Sequence, residues 1–399
     1  MHYLASGQVA EAGTDSSVGS NEELRITRAP LEEARHLPAH YYTSAALLEE
    51  EKEKLFFKDW LAVARVEEFP QPGDYRAIDL LGEPVVICRN KEGELKAFSN
   101  TCRHRGVALV SGQGNTRVFP CPYHAWTYDL NGKLMAAARS KGLSHFDSTN
   151  CQLPPIRLDT WGGFVFINFS DDSPSLADYL DVDMYRESVA YVQPENMHLV
   201  DTYTYDIDCN WKLIPENLAD VYHVEVIHKS TFGGATYSTE RALKELTFTK
   251  YGWHKEYVSG TMAPGAELLF GPAPWLADHE KGRLFAFSAF LRPNFYLFAR
   301  ADMIQPWVAY PLSATKTRVT GWTCIPKEFI GTPAFDEKVK ILADFARKFG
   351  QEDAELMAAM QKGLRSRYFD RGPMHELESV IHHRINRYLD AMDAGHELT

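Results

Sequence analysis

The chain has 399 residues, 45% of them hydrophobic and 24% charged, with a net charge of −12. That length allows about two domains of ~150 residues, and the composition is that of an ordinary globular protein. The negative balance argues against a general nucleic-acid binder, which needs a basic face, and no apolar run approaches the ~18–20 residues of a membrane span, so neither nucleic acid nor membrane is expected as a partner.

The chain opens with MHYLASGQVAEAGTDSSVGSNEE, which is rich in Gly, Ser and acids and lacks the basic start and apolar core of a secretory signal. A flexible N-terminal tail is predicted over 1–42. Residues 44–64 carry apolar positions at helical spacing beside a charged face, and an N-terminal helix is placed at 43–59. From Pro70 the pattern becomes short strands with turn punctuation: Pro72-Gly73-Asp74, Gly82-Glu83-Pro84, Glu92-Gly93 and Asn131-Gly132. GGFVFINF (162–169) reads as a buried strand. Residues 60–171 therefore form a predicted small all-β domain. Residues 172–399 are mixed, with strands expected at 199–209, 248–262 and 284–324 and helices at about 214–228, 334–348, 352–364 and 374–392. Runs of strands with helices grouped separately predict an α+β domain, an antiparallel sheet with helices on one face.

Two segments carry metal-binding side chains. Cys102-Arg103-His104 and Cys121-Pro122-Tyr123-His124 each offer a thiolate and an imidazole, with sixteen residues between His104 and Cys121. Structural zinc sites usually run Cys, Cys, His, His. Two thiolates on one iron and two imidazoles on the other are the donor set of a Rieske-type [2Fe–2S] centre. The other cysteines, Cys88, Cys151, Cys209 and Cys324, are scattered through mostly apolar stretches and read as buried thiols of a reducing cytoplasm.

The second segment is Asn210–His228, NWKLIPENLADVYHVEVIH, in which Asp220, His223 and His228 form D-x2-H-x4-H. The plain reading is a helix that happens to carry two histidines. The chemical reading is a divalent transition metal. On a regular helix His223 and His228 differ by ~140°, so shared ligation requires a π-bulge or a break between them. A mononuclear iron site of two His and one carboxylate needs a third ligand. Asp220 is near in sequence, yet could bridge to something else. The distant candidate is Asp353, placed near a predicted helix start, where Asp is commonly only a cap. His382 and His383 are expected on a helix surface, and Tyr123 and Trp126 around the cluster loops.

C-x-H-x16-C-x2-H followed by N-W-K-x3-E-N-x2-D-x-Y-H-x4-H resembles the catalytic alpha subunit of the Rieske non-haem iron oxygenases, the aromatic-ring-hydroxylating oxygenases, over about residues 40–390. The resemblance implies an all-β Rieske domain beside a helix-grip catalytic domain. It assigns one [2Fe–2S] cluster to Cys102, His104, Cys121 and His124, and one Fe(II) to His223, His228 and Asp353. Asp220 matches the carboxylate that links a cluster histidine of one subunit to an iron histidine of its neighbour. Asn217 matches a polar residue near the iron.

Implied partners are a small substrate, O2, and a ferredoxin and/or NAD(P)H-dependent reductase, because no G-x-G-x-x-G follows a strand. A homotrimer is implied, with or without a beta subunit. Ala125 stands where Gly is common. Asp220, where relatives oxidising quaternary ammonium compounds often have Glu, tilts the expected substrate toward aromatic compounds. Oxidative N- or O-demethylation is the alternative, and an electron carrier without oxygenase activity is the competing class.

Overall fold

The computed structural model describes residues 21–140, 142, 144–181, 191–220, 222–228, 246–250, 252–258, 268–278 and 285–394. Its first half contains β1 (Leu61–Arg65), β2 (Asp74–Leu80), β3 (Glu83–Arg89), β4 (Leu95–Ser99), β5 (Gln113–Asn115), β6 (Phe119–Pro120), β7 (Thr127–Tyr128), β8 (Leu134–Ala136), β9 (Pro155–Trp161) and β10 (Phe164–Asn168). Seven of these form an antiparallel sheet in the order β1-β10-β9-β4-β3-β2-β5, and β6-β7-β8 form a small second sheet. The period-2 alternation of β3 joins two cores. Val85 and Ile87 point into the core shared with the second half, while Val86 and Cys88 point into a cluster with Cys102, Cys121, Trp126 and Tyr128.

The second half is built on β11 (Met197–Ile207), β12 (Leu246–Phe248), β13 (Gly252–Val258), β14 (Phe285–Leu291), β15 (Phe295–Arg300), β16 (Met303–Ser313) and β17 (Lys316–Pro326). They form one antiparallel sheet in the order β11-β17-β16-β15-β14-β13-β12, so the first strand pairs with the last. Gly321 of β17 makes the sheet passable for a large side chain: a Cβ there would meet the Tyr203 ring at 2.3 Å. The expected α+β class and the two-part architecture are present.

Several local expectations change. Residues 21–42 are not a flexible tail: Leu24, Ala34, Leu37, Tyr41 and Tyr42 are buried in the main core. The amphipathic pattern of 44–64 splits. Ala45–Glu51 is α-helical and Lys52–Phe56 is a π-turn, but Leu61–Arg65 is β1, buried at every position and paired with β10. A short apolar run between two packed layers satisfies either periodicity, and tertiary pairing decides it.

The helices expected at 334–348 and 352–364 are one helix, Phe335–Leu364, running through Gly350. Asp353 is therefore in a helix interior and is not an N-cap. The stretch expected as one helix over 214–228 is Leu213–Ala219, then a break at Asp220 in extended conformation, then the single turn Val224–Ile227. The break precedes His223. The two histidines flank the short turn, so neither is tied to a regular helical spacing.

Candidate metal centres

The two cluster loops are built alike. Cys102 donates its N–H to Val107 O and accepts from Gly106 N, while Cys121 donates to Trp126 O and accepts from Ala125 N. Each loop thus turns at the fourth residue after its cysteine, in the left-handed region: Gly106 at φ +74° and Ala125 at φ +57°. Ala125 carries a Cβ where glycine relieves strain, at a cost of roughly 1–2 kcal/mol.

The loops bury both thiols and leave both imidazoles at the surface. His104 Nδ1 and His124 Nδ1 face each other at 3.1 Å. Trp126 stacks on His104 with ring centroids 5.0 Å apart, and Tyr123 stacks on His124 at 3.8 Å. The Tyr128 hydroxyl lies 3.4 Å from Cys102 Sγ and accepts from Arg103 N. Burial pushes the Cys121 thiol up, but the amides of His124 and Tyr123 and the Cys102 side chain outweigh it and hold it below its ordinary value. Amide donors favour the thiolate, the form that binds iron. Two thiols and two convergent Nδ1 atoms fit a Rieske cluster.

The second centre lies between the broken helix and the long one. His223 Nε2 is 3.3 Å from His228 Nε2, and Asp353 Oδ1 is 3.6 Å from the first and 3.1 Å from the second. Their candidate ligand atoms all lie within 4.8 Å of one another. Behind this ring, His223 Nδ1 is 3.1 Å from Asp220 Oδ2, and His228 Nδ1 is 3.0 Å from Glu352 Oε2. Each imidazole thus sets Nδ1 against a carboxylate and Nε2 toward the centre, so that with a metal bound Nδ1–H would donate to the carboxylate and Nε2 would ligate, the support a ligating histidine usually has.

Burial lowers the His223 pKa, but hydrogen bonds to Asp220 and Asp353 outweigh it and bring it up to about 9. Burial likewise opposes ionisation of Asp353, and the two imidazoles reverse the effect, holding its pKa below the usual value. Two imidazoles and one buried carboxylate are the donor set that would hold a mononuclear iron. Asn217 Nδ2 is 3.5 Å from Asp353 Oδ1, a long contact that keeps the amide beside the centre.

A cavity opens beside this centre, reached by Asn217, Leu218 and Asp353 and walled by Tyr205, Trp307 and Phe349. Of the aromatics expected from residues 284–310, Trp307 lines it. Tyr205 and Phe349 were not foreseen, because strand β11 and the long helix had to be placed together first. Glu352 was visible only as half of an acidic pair, and Tyr128 carried no signal at all. His383 is not on a helix surface: its ring is half-buried and stacked under Phe248 at 3.7 Å. No cysteine is in a disulfide, and burial pushes the thiols of Cys88, Cys209 and Cys324 up to about 12. Among the described residues no helix is long and apolar enough to cross a membrane.

Comparison with known proteins agrees with this geometry. Residues 59–147 match the Rieske [2Fe-2S] domain model, and residues 194–394 match the ring hydroxylating alpha subunit catalytic domain. The carnitine monooxygenase oxygenase subunit of Escherichia coli (strain K12) is 31% identical over 339 residues, covering 84% of this chain and 86% of the relative. The chloroplastic choline monooxygenase of Arabidopsis thaliana is 28% identical, covering 90% and 85%. Among solved structures, the quaternary ammonium Rieske monooxygenase CntA in complex with L-carnitine superposes with a TM-score of 0.74 at 26% identity, covering 90% and 97%. Naphthalene 1,2-dioxygenase from Rhodococcus sp. shares the fold, with a TM-score of 0.74 at 21% identity over 95% and 99%. The chain belongs to the Rieske non-haem iron oxygenases as a catalytic alpha subunit, an oxidoreductase that carries a [2Fe–2S] cluster and a mononuclear iron.

Proposed function

We propose that this protein is the oxygenase component of a monooxygenase that acts on a quaternary ammonium compound. The carrying observation is the pocket: Tyr205, Trp307 and Phe349 present aromatic groups beside Asp353, and no lysine or arginine is among the described lining residues. Aromatic faces attract a quaternary ammonium ion through the ring quadrupole. The named relatives, which oxidise carnitine and choline, point the same way.

The expectation of aromatic hydroxylation, drawn from Asp220, is therefore replaced by the N-dealkylating alternative. Asp220 faces Tyr222 N and His223 and is not part of the pocket wall, so Asp or Glu there does not report on the substrate.

We assign His223, His228 and Asp353 to the iron and Cys102, His104, Cys121 and His124 to the cluster. When bound, the iron supplies dioxygen activation and the cluster supplies electrons singly. The balance is R–H + O2 + 2 e⁻ + 2 H⁺ → R–OH + H2O, with the electrons arriving from a separate reductase or ferredoxin. If the hydroxyl enters on a carbon bonded to the quaternary nitrogen, the C–N bond breaks. A tertiary amine and a carbonyl compound leave, and the hydroxyl proton goes to water. Asp220 and Glu352 hold the imidazole tautomers, Asn217 steadies Asp353, and the apolar walls restrict water. We also infer a homotrimer in which the exposed His104 and His124 meet the surface around Asp220 of the next copy.

The test is turnover under ¹⁸O2 with a reductase and a panel of carnitine, choline, glycine betaine and aromatic acids. Oxygen uptake with a quaternary ammonium compound, and one labelled oxygen in the primary product, are expected. Turnover restricted to an aromatic compound, or a doubly labelled diol, would overturn the proposal.

A further inference from the structure

We propose that the Tyr205 hydroxyl is the polar anchor of the substrate pocket, and that the substrate carries a hydroxyl or carboxylate oxygen in addition to its quaternary nitrogen. The inference rests on the quaternary ammonium reading and narrows it.

Tyr203, Tyr205 and Ile207 lie on one face of β11 by its period of two. The two phenols have different fates. The Tyr203 hydroxyl accepts from Trp307 Nε1 and is buried. The Tyr205 ring lines the cavity, and its hydroxyl has no hydrogen-bond partner among the described residues. Trp307 spends its only N–H on Tyr203, and the Asn217 amide turns one N–H toward Asp353 in a long contact. Among the described lining residues the Tyr205 O–H is a donor with no protein partner, and an O–H donor recognises an oxygen acceptor.

Gly350 supports this placement. It lies in the interior of the helix Phe335–Leu364, where glycine costs about 1 kcal/mol relative to alanine. A Cβ at this position would stand 2.6 Å from the Tyr205 hydroxyl oxygen. The helix therefore has a notch where the phenol enters, three residues and nearly one turn before Asp353. The phenol oxygen is held near the proposed iron ligand, on a wall shared with Trp307 and Phe349. A ligand with an onium group on the aromatic faces and an oxygen on Tyr205 would be fixed at both ends, with its intervening carbons confined beside the centre. A tetraalkylammonium ion would be held at one end only.

The experiment is calorimetric titration of the anaerobic holoenzyme with choline, glycine betaine, carnitine and tetramethylammonium, in the natural protein and in Tyr205→Phe and Gly350→Ala. A hydrogen bond to a charged oxygen corresponds to about 10-fold to 100-fold in affinity, and one to a neutral hydroxyl to about 2-fold to 10-fold. In Tyr205→Phe, the affinity of the preferred oxygen-bearing ligand is expected to fall by such a factor, with tetramethylammonium unchanged within about twofold. Gly350→Ala should give the same selective loss with the phenol still present, because the new methyl displaces it. Equal losses for all ligands, or no loss for any, in Tyr205→Phe would overturn this inference. Failure of tetramethylammonium and of every oxygen-bearing onium to bind the natural protein would instead overturn the quaternary ammonium reading.

Discussion

Glu51 is the side chain whose removal should cost this fold most for its size. It is fully buried and accepts hydrogen bonds from Trp211 Nε1 at 2.7 Å, the Tyr388 hydroxyl at 2.6 Å and Lys212 Nζ. Lys212 is equally buried, and its ammonium lies 5.3–5.8 Å from the ring centres of Trp211, Tyr388 and Tyr42. Burial pulls the Lys212 pKa down, opposed by Glu51. Glu51→Leu strands that ammonium without its carboxylate, which costs about 3–5 kcal/mol. It also leaves the Trp211 and Tyr388 donors unpaired, and an unpaired buried donor costs about 1–3 kcal/mol. Against a usual total stability of about 5–15 kcal/mol, the variant should be marginal. At about 2 °C per kcal/mol for a large chain, the melting temperature should drop by at least roughly 6 °C. The assay is thermal unfolding followed by near-ultraviolet circular dichroism and by the visible absorption of the cluster. Adding Lys212→Met to Glu51→Leu should recover the part of the loss that comes from the stranded ammonium, about 3–5 kcal/mol, while the unpaired Trp211 and Tyr388 donors keep their cost. A loss below about 1 kcal/mol in the single variant, or no recovery in the double, would refute the buried-pair reasoning.

Asp220→Asn should retain both metals yet oxidise the reduced cluster with roughly tenfold less product per turnover, measured in a single-turnover experiment; normal product yield would contradict the bridging role. Glu352→Gln removes the carboxylate behind His228 and should weaken iron retention about 10–100-fold against a chelator, with cluster absorption unchanged. Ala125→Gly should relieve the left-handed strain of the second cluster loop and raise stability by up to about 1 kcal/mol, read from thermal unfolding. His383 supplies a pH dependence. Burial, then the charges of Arg387 and His382, bring its pKa down to about 4 from an ordinary 6.5. Between those values the unfolded chain binds a proton that the folded chain does not, so stability falls as pH drops from 6.5 toward 4. Solvent screening of this half-buried ring limits the loss to about 1–2 kcal/mol, and His383→Gln should flatten the slope in that window.

The cluster motif and the pair His223 and His228 were legible because each sits in a short segment where spacing alone brings donors together. Asp353 was a weak distant candidate until the resemblance singled it out. Its local context, Gly-Gln-Glu-Asp, looks like a helix start, whereas the glycine is there to admit Tyr205 into an unbroken helix. Leu61–Arg65 shared the helical spacing noted over 44–64 because a wholly buried strand has no alternation to read. Residues 21–42 passed for a tail because they are tied to elements hundreds of residues away, as in the partly exposed Arg28–Asp390 ion pair. The pocket wall was illegible for the same reason: Tyr205, Trp307 and Phe349 meet only after β11, β16 and the long helix are assembled. Asp220 carries no direct substrate signal, because its hydrogen bonds go to Tyr222 N and His223 and it does not line the neighbouring cavity.

The two centres treat their histidines in opposite ways, and the difference bears on assembly. At the iron site each imidazole turns Nε2 inward and sets Nδ1 against a carboxylate of its own chain. In the cluster loops the Nδ1 atoms face inward and both rings are exposed, and no described residue of this chain bonds to Nε2 of His104 or His124. A ligating imidazole ordinarily has its second nitrogen held, which fixes its orientation and its basicity. Asp220 can meet that need in another copy. Its Oδ1 accepts from Tyr222 N and its Oδ2 from His223, and each carboxylate oxygen keeps capacity for a further donor. The neighbouring Tyr222 is 55% exposed, so the segment is open to a docking surface. An unheld N–H at an exposed cluster edge and a carboxylate with spare lone pairs at the rim of the proposed iron site are complementary, and the proposed homotrimer would pair every such edge with the next rim.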